Sequence, residues 1–149
     1  MVETQTPTTP TPQVDSQPAP QVVSGKSVLV VEDDVFLVNL LISRLQKAGL
    51  EVRKATTGEE ALEILRGGFV PNLILLDIIL PQKSGFEVLQ EIQADPNLQK
   101  APVIITSNLG QEDDVQRGKQ LGVIDYFVKA QTPIDELVAR VKAIVEGGR

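Results

Sequence analysis

The chain has 149 residues, 42% of them hydrophobic and 23% charged, enough for one domain with a real core. It contains no cysteine and no histidine, which excludes disulfides, thiolate or imidazole metal sites, Ser-His-Asp triads and a phosphohistidine on this chain. A net charge of −6 argues against direct nucleic-acid binding, which needs a basic face. Residues 1 to about 25 are rich in Thr, Pro and Gln, with too few apolar side chains to offset the entropy of ordering them. They read as a disordered tail ahead of a folded domain over 26–149. The tail has no Lys or Arg before Lys26 and no apolar signal core, and no stretch of the chain is long enough to span a bilayer. The expected address is cytoplasmic, with no membrane partner.

From Ser27 the texture changes. Ser27-Val28-Leu29-Val30-Val31 is a continuous apolar run that predicts a strand buried on both faces, and it ends in Glu32-Asp33-Asp34. Leu37, Leu41 and Leu45 then recur at steps of four, so a helix is expected from about Val35 to Ala48, capped by Asp34 and closed by Gly49. Leu50 to Ala55 reads as a second strand. Thr57-Gly58-Glu59-Glu60 is a capping-box pattern for a helix with Ala61, Leu62 and Leu65 inward, stopped at Gly67-Gly68. Asn72-Leu73-Ile74-Leu75-Leu76-Asp77 is the third strand, another apolar run that ends on one carboxylate. Ser84-Gly85-Phe86-Glu87 is a second capping box, and Phe86, Leu89 and Ile92 give its helix an apolar stripe up to Asp95-Pro96. A fourth strand from Ala101 ends in Thr106-Ser107. A weaker helix from Gln111 to Leu121 is apolar mainly at Val115 and Leu121. Ile124 to Val128 is the fifth strand, followed by Lys129. Thr132 as cap and Pro133 as first residue open a last helix built on Leu137, Val141 and Ile144.

Strand and helix thus alternate five times. That pattern predicts an α/β fold: a doubly wound five-stranded parallel sheet, order 2-1-3-4-5, with helices on both faces. In such a sheet the carboxyl ends of the strands share one rim, and ligands bind at its switch point. The rim then collects Glu32 and Asp33, Asp77, Ser107 and Lys129. Three carboxylates at short range repel one another and need a cation or a proton. An all-oxygen cluster suits a hard ion, and Mg²⁺ is the natural choice because it shares phosphate oxygens. A lysine and a hydroxyl complete a site for phosphoryl chemistry, with aspartate able to act as nucleophile. Taken singly, each residue has a plainer reading: a strand-end Asp is more often a turn or cap residue, Lys129 a solvated lysine, and Ser107 a turn hydroxyl. It is their joint arrival at one rim that points to function.

These residues closely resemble the receiver domain of two-component response regulators over about Lys26 to Glu146. The likeness rests on Val-Leu-Val-Val-Glu-Asp-Asp, on Leu-Ile-Leu-Leu-Asp followed by Leu-Pro and Gly85, on Pro-Val-Ile-Ile-Thr-Ser, and on Asp-Tyr-Phe-Val-Lys. The resemblance implies a phosphoacceptor switch rather than an enzyme. Asp77 would accept a phosphoryl group from a histidine kinase or a histidine phosphotransfer protein. Asp33 would bind Mg²⁺ directly, Glu32 through water, and the backbone carbonyl of Ile79 would complete the protein ligands beside Asp77. Lys129 would pair with the phosphoryl group, and Ser107 would hydrogen-bond it. Tyr126 would turn inward behind Ser107, which would change the face made by the fourth helix, fifth strand and fifth helix. An unidentified protein would read that face. Because the chain ends after the fifth helix, a stand-alone receiver with no direct DNA binding is expected. Leu137-Val138-Ala139-Arg140 resembles the winged-helix transcription-factor group and points to an ancestor with an output domain, or to dimerisation through the same face.

Four positions depart from the commoner pattern. Ala130 replaces the proline that usually follows the lysine, which puts the usual cis bond there in question. Asn108 is bulkier than the usual small residue. Ile79 and Leu109 are apolar where polar groups help to position the hydrolytic water, which implies slow self-catalysed dephosphorylation. The rival readings are a phosphorylation-independent adaptor, an aspartate-nucleophile phosphatase of the haloacid dehalogenase type, and a flavodoxin-type flavin carrier. The phosphatase would need a second Asp where Ile79 stands. The flavin carrier would need a hydroxyl-rich phosphate loop where Glu32-Asp33-Asp34 stands.

Overall fold

A computed structural model describes residues 25–98, 100–108 and 112–147. The Thr/Pro/Gln-rich segment expected to be a tail, and Leu109, lie outside the described residues. The elements are β1 (Ser27–Val31), α1 (Val35–Lys47), β2 (Glu51–Ala55), α2 (Gly58–Arg66), β3 (Leu73–Asp77), α3 (Gly85–Ala94), β4 (Val103–Ser107), α4 (Glu112–Gln120), β5 (Asp125–Val128) and α5 (Ile134–Gly147). A 3-10 turn, Lys129–Gln131, joins β5 to the approach of α5. All neighbouring strands are parallel, in the order β2-β1-β3-β4-β5, which is the expected doubly wound sheet.

The period of two along each strand divides the core. Leu29, Val31, Ile74, Leu76 and Ile105 face α2 and α3, where Leu62, Phe86 and Leu89 pack on them. Val28, Val30, Leu73, Leu75 and Ile104 face α1 and α5, against Leu41, Leu45, Leu137 and Val141. With both faces covered, β1 and β3 are buried at every position, which is why they read as unbroken apolar runs.

The helix starts are chemically explicit. Asp34 accepts from Leu37 N at 3.1 Å, Thr57 accepts from Glu60 N at 3.0 Å, and Ser84 forms a full capping box with Glu87. Gly49 closes α1 at φ +92°, a conformation open to glycine at no steric cost. Two local expectations shift. Pro133, not Thr132, takes the cap position of α5, since its carbonyl accepts from Leu137 N at 3.1 Å while Thr132 N reaches back to Lys129 O. The buried residue of α4 is Gly118, rather than Val115 or Leu121. Ile105, Val123 and Tyr126 close over it, and a Cβ there would meet them at 3.2, 3.3 and 3.5 Å.

Gly85 has a stricter role. A Cβ at this position would collide with the Asp77 carbonyl oxygen and stand 2.8 Å from Ile78 Cα, both backbone atoms. The first turn of α3 is therefore seated on the backbone of the strand-end aspartate, and Gly85 N donates to Ile78 O at 2.8 Å. Gly85→Ala is expected to cost about 1–3 kcal/mol through overpacking that backbone cannot relieve. A urea unfolding midpoint equal to that of the parent would contradict this.

Candidate functional site

β1 and β3 lie side by side, with Val31 paired to Leu76, so the residues after each strand emerge together. One carboxylate oxygen from each of Glu32, Asp33 and Asp77 falls within 4.8 Å of the others. β5 brings in Lys129, whose Nζ lies 2.9 Å from Asp77 Oδ2 and 2.7 Å from Glu32 Oε1. These residues line one open pocket of about 430 Å³ together with Asp34, Ile79 and Asn108.

Burial is uneven. Glu32 and Asp77 are each 2% exposed, whereas Asp33 is exposed. Burial pushes the Glu32 carboxyl above the usual range; Lys129 pulls it back, and the charge of Asp77 adds to the rise. Burial also lowers the pKa of Lys129, but Glu32 and Asp77 more than offset this and hold it above the ordinary lysine value. Asp34 N donates to Glu32 Oε2 at 3.1 Å, and Ile79 N donates to Asp77 Oδ1 at 3.1 Å, so both carboxylates are oriented by the backbone. Glu32 Oε1 has the Lys129 ammonium beside it but no well-aligned hydrogen bond, so one buried acceptor lacks a directed partner. Oxygens sharing a small hard ion at about 2.1 Å stand roughly 3–4 Å apart. The three carboxylate oxygens lie within 4.8 Å of one another, and an all-oxygen donor set of this kind suits Mg²⁺.

Ser107 sits elsewhere. It is fully buried and does not line the acidic pocket; a hydrogen bond joins its side chain to the Tyr126 hydroxyl. Burial raises the Tyr126 pKa, and the charges of Asp114 and Asp77 act in the same direction, against the hydrogen bond from Ser107. Tyr126 is half-buried over Gly118 of α4, so Ser107, Tyr126 and α4 form one contact chain beside Asp77. Among the described residues there is no cis peptide bond, so the bond between Lys129 and Ala130 is trans. Sequence reading did not anticipate the backbone donors of Asp34 and Ile79; the i to i+2 spacing from each carboxylate is the signal that would have found them.

Residues 28–142 match the response regulator receiver domain. The chain belongs to that family. It is 37% identical over 123 residues to the probable transcriptional regulator ycf27 of Cyanophora paradoxa, covering 83% of this chain and 49% of the relative. It is 33% identical over 118 residues to the DNA-binding dual master transcriptional regulator RpaA of Synechocystis, covering 79% and 48%. Among solved structures it resembles the phosphorylated cyanobacterial phytochrome response regulator RcpA, with 35% identity, a TM-score of 0.70, and coverage of 82% of this chain and 92% of that one.

These relatives overturn one expectation. The reading of no direct DNA binding conflicts with similarity to transcriptional regulators, one of them named as DNA-binding. That expectation rested on net charge and on the chain's ending after the fifth helix, and neither speaks for relatives of which this chain spans about half the length. Acidity concentrated at a receiver site says nothing about a nucleic-acid surface in another segment. Receiver domains as a family bind Mg²⁺ at an acidic pocket, and this chain holds an acidic group of Glu32, Asp33 and Asp77. Among the described residues no helix is long and apolar enough to cross a membrane.

Proposed function

We propose that this receiver accepts a phosphoryl group on Asp77 from the phosphohistidine of a histidine kinase or phosphotransfer protein. The observation that carries the reading is the ammonium of Lys129 held 2.9 Å from Asp77 within a cluster of carboxylates. Glu32, Asp33 and Asp77 would hold Mg²⁺ with the Ile79 carbonyl, and the bound ion would offset charge on the transferring phosphoryl oxygens. An oxygen of Asp77 attacks phosphorus in line and the histidine nitrogen leaves. Lys129 faces the oxygens on the other side and loses nothing by the exchange, because it trades a carboxylate charge for a phosphoryl charge. Ser107 then gives up Tyr126 to reach the new oxygens, and Tyr126 and α4 follow. The contact chain described above supports this route, and the population shift alters the α4–β5–α5 face. A cytoplasmic address belongs to the same proposal and is supported by the family of the relatives.

Beryllofluoride with Mg²⁺ tests the reading, since it occupies an aspartate as a phosphoryl group does. Amide signals of Ser107, Tyr126 and α4 are expected to move. A response confined to the residues around Asp77 would favour a phosphorylation-independent adaptor.

Self-catalysed dephosphorylation belongs to the same proposal, and Ile79 bears on it. Ile79 is 56% exposed at the pocket wall, and its side chain offers no polar atom to position water. Ile79→Asn is expected to shorten the phospho-Asp77 lifetime several-fold, read by loss of label over time. An unchanged lifetime would remove Ile79 from the account.

A further inference from the structure

A second cavity, of about 370 Å³, adjoins the acidic pocket. It opens between α1, the ends of β4 and β5, and the start of α5. Leu37, Leu41, Phe127, Ile134 and Leu137 form its walls, and Leu41 and Leu137 are buried. Asp34, Asn108 and Lys129 line both spaces. Thr106 and Thr132 line it as well, and a mainly apolar space of this size with a few polar groups is the usual form of a small-molecule site. One of those groups is the lysine whose ammonium stands 2.9 Å from Asp77.

A molecule placed across Lys129 would have an anionic head at Asp77 and a hydrocarbon body among the leucines. We propose that the cavity is an acyl subsite. It takes the hydrocarbon of an acyl phosphate that phosphorylates Asp77 directly, and so selects longer acyl phosphates over acetyl phosphate. This rests on Asp77 being the acceptor, as proposed above. In the transfer, a lone pair on an Asp77 oxygen forms the new bond to phosphorus. The bond from phosphorus to the acyl oxygen breaks, and the acyl group leaves as a carboxylate with that electron pair. No proton, oxidant or reductant is required. Lys129 stays with the phosphoryl oxygens, the carboxylate departs on the side opposite Asp77, and its chain stays out of water in the cavity.

The test uses the full chain with Mg²⁺ and acetyl, propionyl and butyryl phosphate as donors. The second-order rate constant is expected to rise about fourfold per added methylene, the gain from placing one CH₂ in an apolar site. Butylphosphonate, which cannot transfer its phosphorus, is expected to shift the methyl signals of Leu41 and Leu137 where methylphosphonate does not. Leu37→Trp, which fills the cavity, is expected to bring the butyryl-to-acetyl ratio to about one. A flat or falling donor series overturns the subsite, as does butylphosphonate that moves no cavity methyl. A cavity built for a partner protein's side chain would give that flat series. Acetyl phosphate would still label Asp77 in that case, whereas failure of the acceptor reading removes label from every donor.

Discussion

Asp77→Asn is expected to abolish phosphoryl incorporation from acetyl phosphate and Mg²⁺, a loss of at least about a hundredfold. The amide keeps the volume of the carboxylate and can still accept from Ile79 N or from Lys129, but it offers no anionic oxygen to phosphorus. Two terms keep the fold intact. One directed contact is lost, worth about 1 kcal/mol, and the repulsion between Asp77 and Glu32 is removed. The net change in unfolding free energy should therefore stay within about 1 kcal/mol. The measurement is intact mass after incubation, with urea unfolding as the control. Undiminished incorporation in the folded variant would move the acceptor to another residue.

Much of this arrangement was legible in the sequence, for a physical reason. A strand covered on both faces must be apolar at every position, so Leu73 to Leu76 announced a central strand and Asp77 its carboxyl end. The cap signals at Thr57 and Ser84 marked where α2 and α3 begin, although only Ser84 closes the full box: the Glu60 carboxylate accepts from Thr56 N instead of Thr57 N. What local pattern could not carry was set by contacts between distant segments. Asp77 pairs with Thr106, so Ser107 lies one step beyond that pairing; on β5 its register partner is Val128, while its side chain bonds the Tyr126 hydroxyl. The polar helix α4 looked weak because its hold on the domain lies in Gly118 and in Arg117, whose guanidinium sits 4.4 Å from the Phe86 ring centroid. Neither residue registers as an apolar stripe. The cavity beside Lys129 needs α1, β4, β5 and α5 together, and no single stretch shows it. The error over DNA had a different origin, in net charge and the end of the chain.

Lys129→Met is the more severe test of the site's electrostatics. The lysine side chain is 19% exposed, while those of Glu32 and Asp77 are 2% and 3% exposed. Methionine keeps the hydrocarbon stem and leaves two buried carboxylates facing each other without a cation. Breaking a buried ion pair from one side costs about 3–5 kcal/mol, and the partial exposure of Lys129 puts this case near the lower end. The loss should be read as a fall in the urea midpoint of the metal-free protein near neutral pH. Its pH dependence has a definite sign. Burial already raises the folded-state value of Glu32 above its unfolded value, and removing Lys129 raises it further. The folded state then binds the extra proton, so the Glu32 contribution is fully present below the unfolded value and is lost as pH rises through the folded one. The gap between variant and parent should therefore narrow toward acid. Glu32→Gln in the same chain should recover most of the loss, because the amide oxygen can still accept from Asp34 N without a charge. Phosphorylation by acetyl phosphate should remain roughly a hundredfold slow in both variants, since neither restores a cation to the phosphoryl oxygens. If the costs of Lys129→Met and Glu32→Gln simply add, the pair does not act as a unit and Lys129 serves Asp77 alone.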